Sequence, residues 1–500
     1  MVAQGRGLVN RNLAFSGTAR IIASFRSRLL WGIGEMRRLV RLAVLSALAL
    51  ALSLLPTSAQ AGGGGITLTG TFADGATYLI EVPGNWNGTL LLYSHGYNAF
   101  SPNPAIDVGD PGTRLWALAN GFALAGSSYA TTGWALEQAF PDQIMVLDTF
   151  AQKVGKPTRT IAWGHSLGGM ITAGLVQLHP ERFDGALPMC GVVAGGIGVW
   201  NQGLDSGFAF KTLLPHTSAL QLVHISGGAP YAFGNWAISL GILNVAQQTA
   251  AGRARIALSA ALSDVPGWFD PASPEPAPHD FAAQELNQFN WDLNPDFFFS
   301  FAARAELEAR AGGNFSWNTG VDYNKQLAHS IDREEVKALY KAAGLSLEDD
   351  LDTLNKTTRI SADANAVNYV KRFIVYNGDI DLPVLTMHTT GDGLVQVTDE
   401  QAYASVVRSA GDNSLLREVF VHRAGHCSFT PAETATALET LIHRLNTGRW
   451  EDSTAPNIMN AEAASLPNAL NVAPPSFIEF HPATFLRPFD ARTHGKEGAP

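Results

Sequence analysis

Cysteine is scarce: Cys190 and Cys427 are the whole complement of a 500-residue chain. Two thiols cannot build a disulfide scaffold, and no Cys/His cluster has the spacing of a zinc site. A phosphate-cradling glycine loop and internal repeats are also missing. No metal and no cofactor is therefore expected. Charge is sparse, with 16% of residues Asp, Glu, Lys or Arg, and unbalanced, with 34 basic against 44 acidic residues and a formal net charge of −10. An acidic chain is repelled by phosphate backbones and anionic lipid, which argues against nucleic acid and membrane surfaces as partners. Long apolar runs are lacking too: the uncharged stretch at residues 42–55 is too short for a comfortable bilayer span.

That stretch follows a basic segment, Met36-Arg37-Arg38-Leu39-Val40-Arg41, and precedes the small-residue site Ala59-Gln60-Ala61. The order predicts a signal peptide over residues 36–61, cut before Gly62, with residues 1–35 an upstream extension. Losing residues 1–61 removes eight Arg and Glu35, leaving 26 basic against 43 acidic residues and a net charge of −17. The expectation is a secreted protein, extracellular or periplasmic, without stable membrane insertion.

What the chain does have is Gly164-His165-Ser166-Leu167-Gly168-Gly169, directly after the apolar run Thr160-Ile161-Ala162-Trp163. A strand ending in G-x-S-x-G and opening into a helix puts the serine at the tip of a sharp turn. The helix then aims its free amides and positive dipole end at that spot. Serine is a poor nucleophile unless a base, usually a histidine oriented by a carboxylate, takes its proton. The motif gains weight only if such partners follow.

They follow in the order acid, then histidine. Asp392 lies just past the apolar run Pro383-Val384-Leu385-Thr386-Met387, at the strand end where α/β sheets place their sites. A plain turn-stabilising role in Gly391-Asp392-Gly393 is the alternative. Asp379 and Asp381 precede the strand, at its wrong end. Asp399 lies in Thr398-Asp399-Glu400-Gln401, which reads as a capping box. His426 sits on a short loop between the strand 416–421 and a helix announced by Thr430-Pro431-Ala432-Glu433. His422, at the strand's end, is its competitor. A fourth segment, Leu90-Leu91-Leu92-Tyr93-Ser94-His95-Gly96-Tyr97, runs an apolar strand into His-Gly. The backbone N–H groups of Tyr97 and Leu167 are the expected oxyanion donors; His95 is expected to orient the loop.

Together these segments resemble the α/β-hydrolase superfamily, in particular a secreted serine hydrolase with a large lid. The resemblance covers about residues 66–195 and 380–448. It implies a doubly wound, mostly parallel sheet and acyl transfer through an acyl-enzyme on Ser166, with Asp392 and His426 as acid and base. The wording Gly-His-Ser-Leu-Gly-Gly resembles esterases and lipases more than aminopeptidases, so a carboxylic ester, small or polymeric, is the expected substrate. A peptidase of the aminopeptidase or prolyl type is the alternative, with Glu137, Asp292 and Asp296 available to hold a substrate amine. A non-catalytic binding protein on the same scaffold is another. Oligomeric state is not legible.

Cys190 ends the strand-like run after the nucleophile's strand, and Cys427 follows His426, so both should lie near the active-site edge. An oxidising compartment would permit a disulfide between them that pins the histidine loop; two buried free thiols is the other reading. Tannase-like and feruloyl-esterase-like enzymes similarly carry Cys beside the histidine, but also one beside the serine. Here His165 takes that place, and the match is partial.

Alternating strand and helix signals over residues 62–195 and again over 381–449 argue a parallel sheet. Between them, residues 196–380 form an insertion expected to be mainly helical, with runs near 242–262, 299–311, 333–343 and 364–373. Asp332 to Glu335 resembles a capping-box variant. The Pro-rich stretch 270–278 reads as an exposed loop. The insertion's many aromatics, such as Trp200, Trp236 and Phe297 to Phe299, serve either its own core or an apolar chamber. Residues 450–500 lack periodicity and read as an extended strap with a disordered tip.

Overall fold

The buried strand Leu90-Leu91-Leu92 shows how the sheet is built. Leu90 and Leu92 face one core with Ala162, Phe140 and Met170, whereas Leu91 faces the opposite core with Ile161, Trp163 and Leu438. Alternate side chains point to opposite faces, so a strand covered on both sides reads as a continuous apolar run. The computed structural model describes residues 64–100, 108–226 and 230–489. The leader predicted over 36–61, the upstream stretch and the tip of the tail lie outside the described residues.

Among the described residues one sheet of nine strands forms: β1 (Ile66–Thr71), β2 (Thr77–Val82), β3 (Thr89–Ser94), β4 (Ala123–Ser127), β5 (Arg159–His165), β6 (Gly185–Met189), β7 (Val384–Gly391), β8 (Leu416–Ala424) and β9 (Phe477–Ile478). Their order is β1-β2-β4-β3-β5-β6-β7-β8-β9. The six strands from β4 to β8 in that order are parallel, and β1, β2 and β9 add antiparallel edges. Helices α1 (Pro111–Ala119), α2 (Leu136–Lys153) and α3 (Leu167–Leu178) connect the first strands. This is the doubly wound α/β-hydrolase sheet that the motifs imply.

The helical insertion leaves after β6 and returns at β7. It carries α4 (Gly195–Leu213), α5 (Phe233–Ala246), α6 (Ala250–Ala261), α7 (Phe281–Trp291), α8 (Arg304–Ala311), α9 (Tyr323–His329), α10 (Arg333–Ala343), α11 (Leu347–Lys356) and α12 (Ala364–Arg372). It has a core of its own, in which Phe208, Phe210, Phe297, Phe301 and Tyr323 meet Leu243 and Ile256. Most of its aromatics are thus structural. The sheet is completed by α13 (Thr398–Ala410), α14 (Pro431–Thr447) and α15 (Pro456–Ser465). No helix among the described residues is long and apolar enough to cross a membrane.

Several local expectations are corrected. The run at 242–262 is two helices, because Thr249 breaks it and caps α6 by accepting from the Gly252 N–H at 2.9 Å. Residues 299–303 form a wider π turn before α8. Helix α4 has no counterpart in the sequence reading: its five glycines in 19 residues depress helix propensity, and burial along its length overrides them. Neither Thr398 nor Asp332 supplies the side-chain cap expected of it. The tail holds α15 and the short β9, where no periodicity announces them.

Candidate active site

Strand β5 and helix α3 meet at Ser166, whose φ of 59° and ψ of −125° hold the side chain at the tip of the turn. The turn depends on close backbone approach. A Cβ on Gly168 would sit 1.9 Å from the Ser94 carbonyl oxygen, and one on Gly164 2.4 Å from that same oxygen. Only glycine lets β3, β5 and α3 converge there. A positive φ at a non-glycine residue costs about 1–3 kcal/mol and persists only where the surroundings enforce it.

The structure brings the three distant residues together. The Ser166 hydroxyl donates to His426 Nε2 at 2.8 Å, and the His426 Nδ1–H donates to Asp392 Oδ2 at 2.7 Å. Asp392 makes contacts that suit either of its two expected roles. Its Oδ1 accepts the backbone N–H groups of Leu394 and Val395, each at 3.1 Å, which shapes the turn after β7, while Oδ2 faces the histidine. Burial alone would raise the Asp392 carboxyl. The charge of His426 and hydrogen bonds from His388 and His426 outweigh it and hold the group below the usual carboxylate range.

The competitors lie elsewhere. His422 is exposed, 3.3 Å from Glu275. Asp399 turns under α4 and accepts the Ala194 N–H at 3.1 Å, and burial pushes it up to about 8. His95 stacks on Tyr129 at 4.0 Å between ring centroids, and its ring nitrogens contact the carbonyls of Gly96 and Ser128. The His95–Tyr97 loop passes Ser166 closely enough that a Cβ on Gly96 would lie 3.4 Å from the serine Cβ. The loop therefore brings the Tyr97 backbone past the serine. Leu167 opens α3 and so leaves its amide without an intrahelical partner.

Sequence reasoning missed His388 and Glu400. His388 lies in β7 and is wholly buried. Its Nδ1 contacts Glu400 Oε1 and its Nε2 the Val395 carbonyl, both at 2.9 Å, with Asp392 Oδ2 at 3.6 Å. A carbonyl only accepts, and a carboxylate only accepts, so both ring nitrogens carry protons. Burial pulls the imidazole down, but hydrogen bonds to Asp392 and Glu400 win and push it up to about 10. A buried cation thus stands behind the acid. The one sequence signal was a histidine inside an apolar strand, four residues before Asp392. His165, beside the serine, is the opposite case: burial drives it down to about 4, so it stays neutral.

Cys190 and Cys427 form a disulfide. It ties the end of β6 to the residue after His426, and the Cys427 sulfur lies 3.4 Å from His426 Nε2. The bridge spans 237 residues of sequence and so encloses the whole insertion. Closing so long a loop restricts the unfolded chain, and its loss typically costs about 2–5 kcal/mol. Reduction with dithiothreitol is therefore expected to lower both the thermal midpoint and the turnover rate. Calorimetry and kinetics on the same reduced sample check this; unchanged turnover after verified reduction would show that other contacts hold the histidine loop.

Above Ser166 lies a cavity of about 100 Å³. Its walls combine Tyr97 and Trp134 from the sheet domain with Trp200, Phe299 and the acids Asp292 and Asp296 from the insertion. Glu137 is not among them; it is exposed and accepts from the Tyr369 hydroxyl at 3.1 Å.

Fold and insertion define an α/β-hydrolase with a helical cap. The prolyl oligopeptidase family profile matches residues 122–195, from β4 to just past β6. The chain is 30% identical over 427 residues to the o-phthalyl amidase of Xanthobacter agilis, covering 79% of this chain and 90% of that one. It belongs to the family of that amidase. Among solved structures, the rice cell wall degrading esterase LipA from Xanthomonas oryzae aligns with 76% of this chain and 90% of its own at 14% identity, TM-score 0.37. Feruloyl esterase B from Aspergillus oryzae aligns with 77% of this chain and 80% of its own at 14% identity, TM-score 0.35.

Proposed function

We propose that this protein hydrolyses carboxylic acyl bonds, esters foremost, through a covalent acyl-enzyme on Ser166. The observation that carries the reading is the continuous chain of hydrogen bonds Ser166–His426–Asp392, 2.8 and 2.7 Å long, opening into the cavity. His426 takes the serine proton as Oγ attacks the acyl carbon, and Asp392 stabilises the imidazolium that forms. The amides of Leu167 and Tyr97 receive the oxyanion. When the tetrahedral intermediate collapses, His426 returns the proton to the departing group, and water then releases the acid by the same steps reversed. A non-catalytic binding protein would have no use for such an aligned array.

An amide is the second reading for the scissile bond, favoured by the family shared with o-phthalyl amidase. The same atoms serve both bonds; what differs is the leaving group, since an amine must be protonated as it departs whereas an activated alkoxide need not be.

The test is labelling by a fluorophosphonate, followed by a panel of p-nitrophenyl esters, matched anilides and an o-phthalyl amide. We expect one modified peptide, carrying Ser166, and none in His426→Ala. Esters outrunning amides support the first reading, and the reverse order the second. A folded protein that takes no label overturns both. We also infer export: the predicted leader and the disulfide both suit an oxidising compartment. An N-terminus at Gly62 in protein recovered from the periplasm or medium checks it.

A further inference from the structure

Helix α4 carries a glycine that packing does not explain. Gly203 lies in the interior of the helix and outside the left-handed backbone region, where alanine is the more stable choice. The glycines nearer the start of the helix have steric reasons. A Cβ on Gly196 would press on Val370 at 3.0 Å, and one on Gly198 on Phe485 at 3.1 Å. A Cβ on Gly203 would meet nothing within 4 Å. With Val199, Ser206 and Gly207 it forms the face of α4 that lines the cavity above Ser166. The bare patch therefore opens on that cavity. At about 100 Å³ the cavity is small, so even a methyl group takes a share of it.

The oriented array decides which part of a substrate this space receives. In the tetrahedral intermediate the acyl carbon carries four groups. One is Ser166 Oγ. The oxyanion lies against the amides of Tyr97 and Leu167. The departing group must lie within hydrogen-bond reach of His426 to collect its proton. The fourth is the body of the acyl group. The described lining residues include Ser166, Tyr97 and Leu167, but neither His426 nor Cys427 beside it. The departing group thus leaves on the histidine side, and the cavity falls to the acyl side. Trp200, Phe299 and Leu394 give it apolar walls for a chain or a ring. We propose that the cavity is the acyl pocket and that Gly203 sets the size of the acyl group it admits, keeping room for groups larger than acetyl. The proposal rests on the acyl-hydrolase reading above and deepens it. At this one position of α4 the helix gives up stability and the pocket gains space.

Gly203→Ala and Gly203→Leu test this, with Gly241→Ala as the control. Gly241 is an exposed glycine inside α5 whose Cβ would likewise meet nothing within 4 Å. Two ester series are read as kcat/KM. p-Nitrophenyl acetate, butyrate and benzoate vary the acyl group, and the acetates of phenol and 2-naphthol vary the departing group. Wild type is expected to take at least one of the two larger acyl groups within about tenfold of acetate. The ratio of that ester to acetate is expected to fall at least about tenfold in Gly203→Leu, the low end of what one methylene is worth in an apolar pocket, and to fall in Gly203→Ala as well. The naphthyl-to-phenyl ratio should hold its wild-type value. Both alanine variants should melt no lower than wild type, but only the one at 203 should move the acyl ratio. A folded Gly203→Leu with the wild-type acyl ratio overturns the proposal, as does a wild type confined to acetate. A shift in the naphthyl ratio in place of the acyl ratio overturns it too, since the departing group would then occupy the cavity. Should Gly203→Leu not fold, Gly203→Ala decides. Fluorophosphonate labelling of wild-type Ser166 is read in parallel. Label with an unmoved acyl ratio sinks the pocket proposal alone, whereas absence of label sinks the acyl-hydrolase reading beneath it.

Discussion

Ser166→Ala is expected to lower kcat by about 10⁴–10⁶-fold, with the melting temperature nearly unchanged. The change removes only Oγ. Alanine has the same Cβ and meets the same backbone constraint at a φ of 59°, so the turn keeps whatever strain it had. The lost hydrogen bond to His426 leaves an imidazole that is already held by Asp392. Folding should therefore tolerate the change. Some rate above the uncatalysed reaction should persist, because the Leu167 and Tyr97 amides still polarise a bound carbonyl. Single-turnover kinetics on an activated ester would measure it. A variant within about a hundredfold of wild type would mean that another group attacks, and the reading of Ser166 would fall.

Asp392→Asn should lower kcat by about 10³–10⁴-fold with little change in KM. The asparagine can still accept the Leu394 and Val395 amides, so the turn after β7 survives, whereas Asp392→Ala would lose it as well. What disappears is the charge that fixes the histidine tautomer. Stability against pH should separate this acid from His388 behind it. The Asp392 carboxyl is depressed in the fold, so its contribution is present above its unfolded value of about 4 and is lost as pH falls through the folded one. His388 is raised to about 10, so its contribution is complete below its unfolded value of about 6.5 and is lost as pH rises towards 10. Thermal melts across pH should therefore show wild type losing stability at both ends. Asp392→Asn should flatten the acid limb; an acid limb identical to wild type would contradict the depressed carboxyl.

The three residues of the array could be read from sequence because each sits at a glycine-marked strand end: Gly164 and Gly168 around Ser166, Gly391 and Gly393 around Asp392, Gly425 before His426. Local chemistry punctuates those positions, and chain order does the rest. The buried pair His388–Glu400 was illegible for the converse reason. A histidine in an apolar strand and a glutamate in a helix's first turn look unrelated until β7 and α13 are folded together. Glu400 and Asp399 read as capping acids, yet both turn inward. Helix α4 was hidden by its glycines, which read as breakers. In the fold those residues keep the helix slim: Gly203 and Gly207 line the cavity, and a side chain there would fill the space that a substrate needs.

The placement of the insertion bears on how such an enzyme diversifies. Strands β6 and β7 are immediate neighbours, with Ala186 opposite Val384. The chain departs after one and comes home on the next, so the sheet is indifferent to what happens in between. Chemistry and selectivity are thereby inherited on separable stretches of gene. Ser166 precedes the excursion and Asp392 and His426 follow it, while the excursion itself roofs the cavity. The Cys190–Cys427 bridge starts at the first junction and closes beyond β8, so the whole excursion lies inside its loop, like a pouch behind a clasp. A recombined or randomised cap would thus be grafted onto a framework whose reacting atoms are already registered with one another, and new tastes could be tried without rebuilding the machinery that cuts.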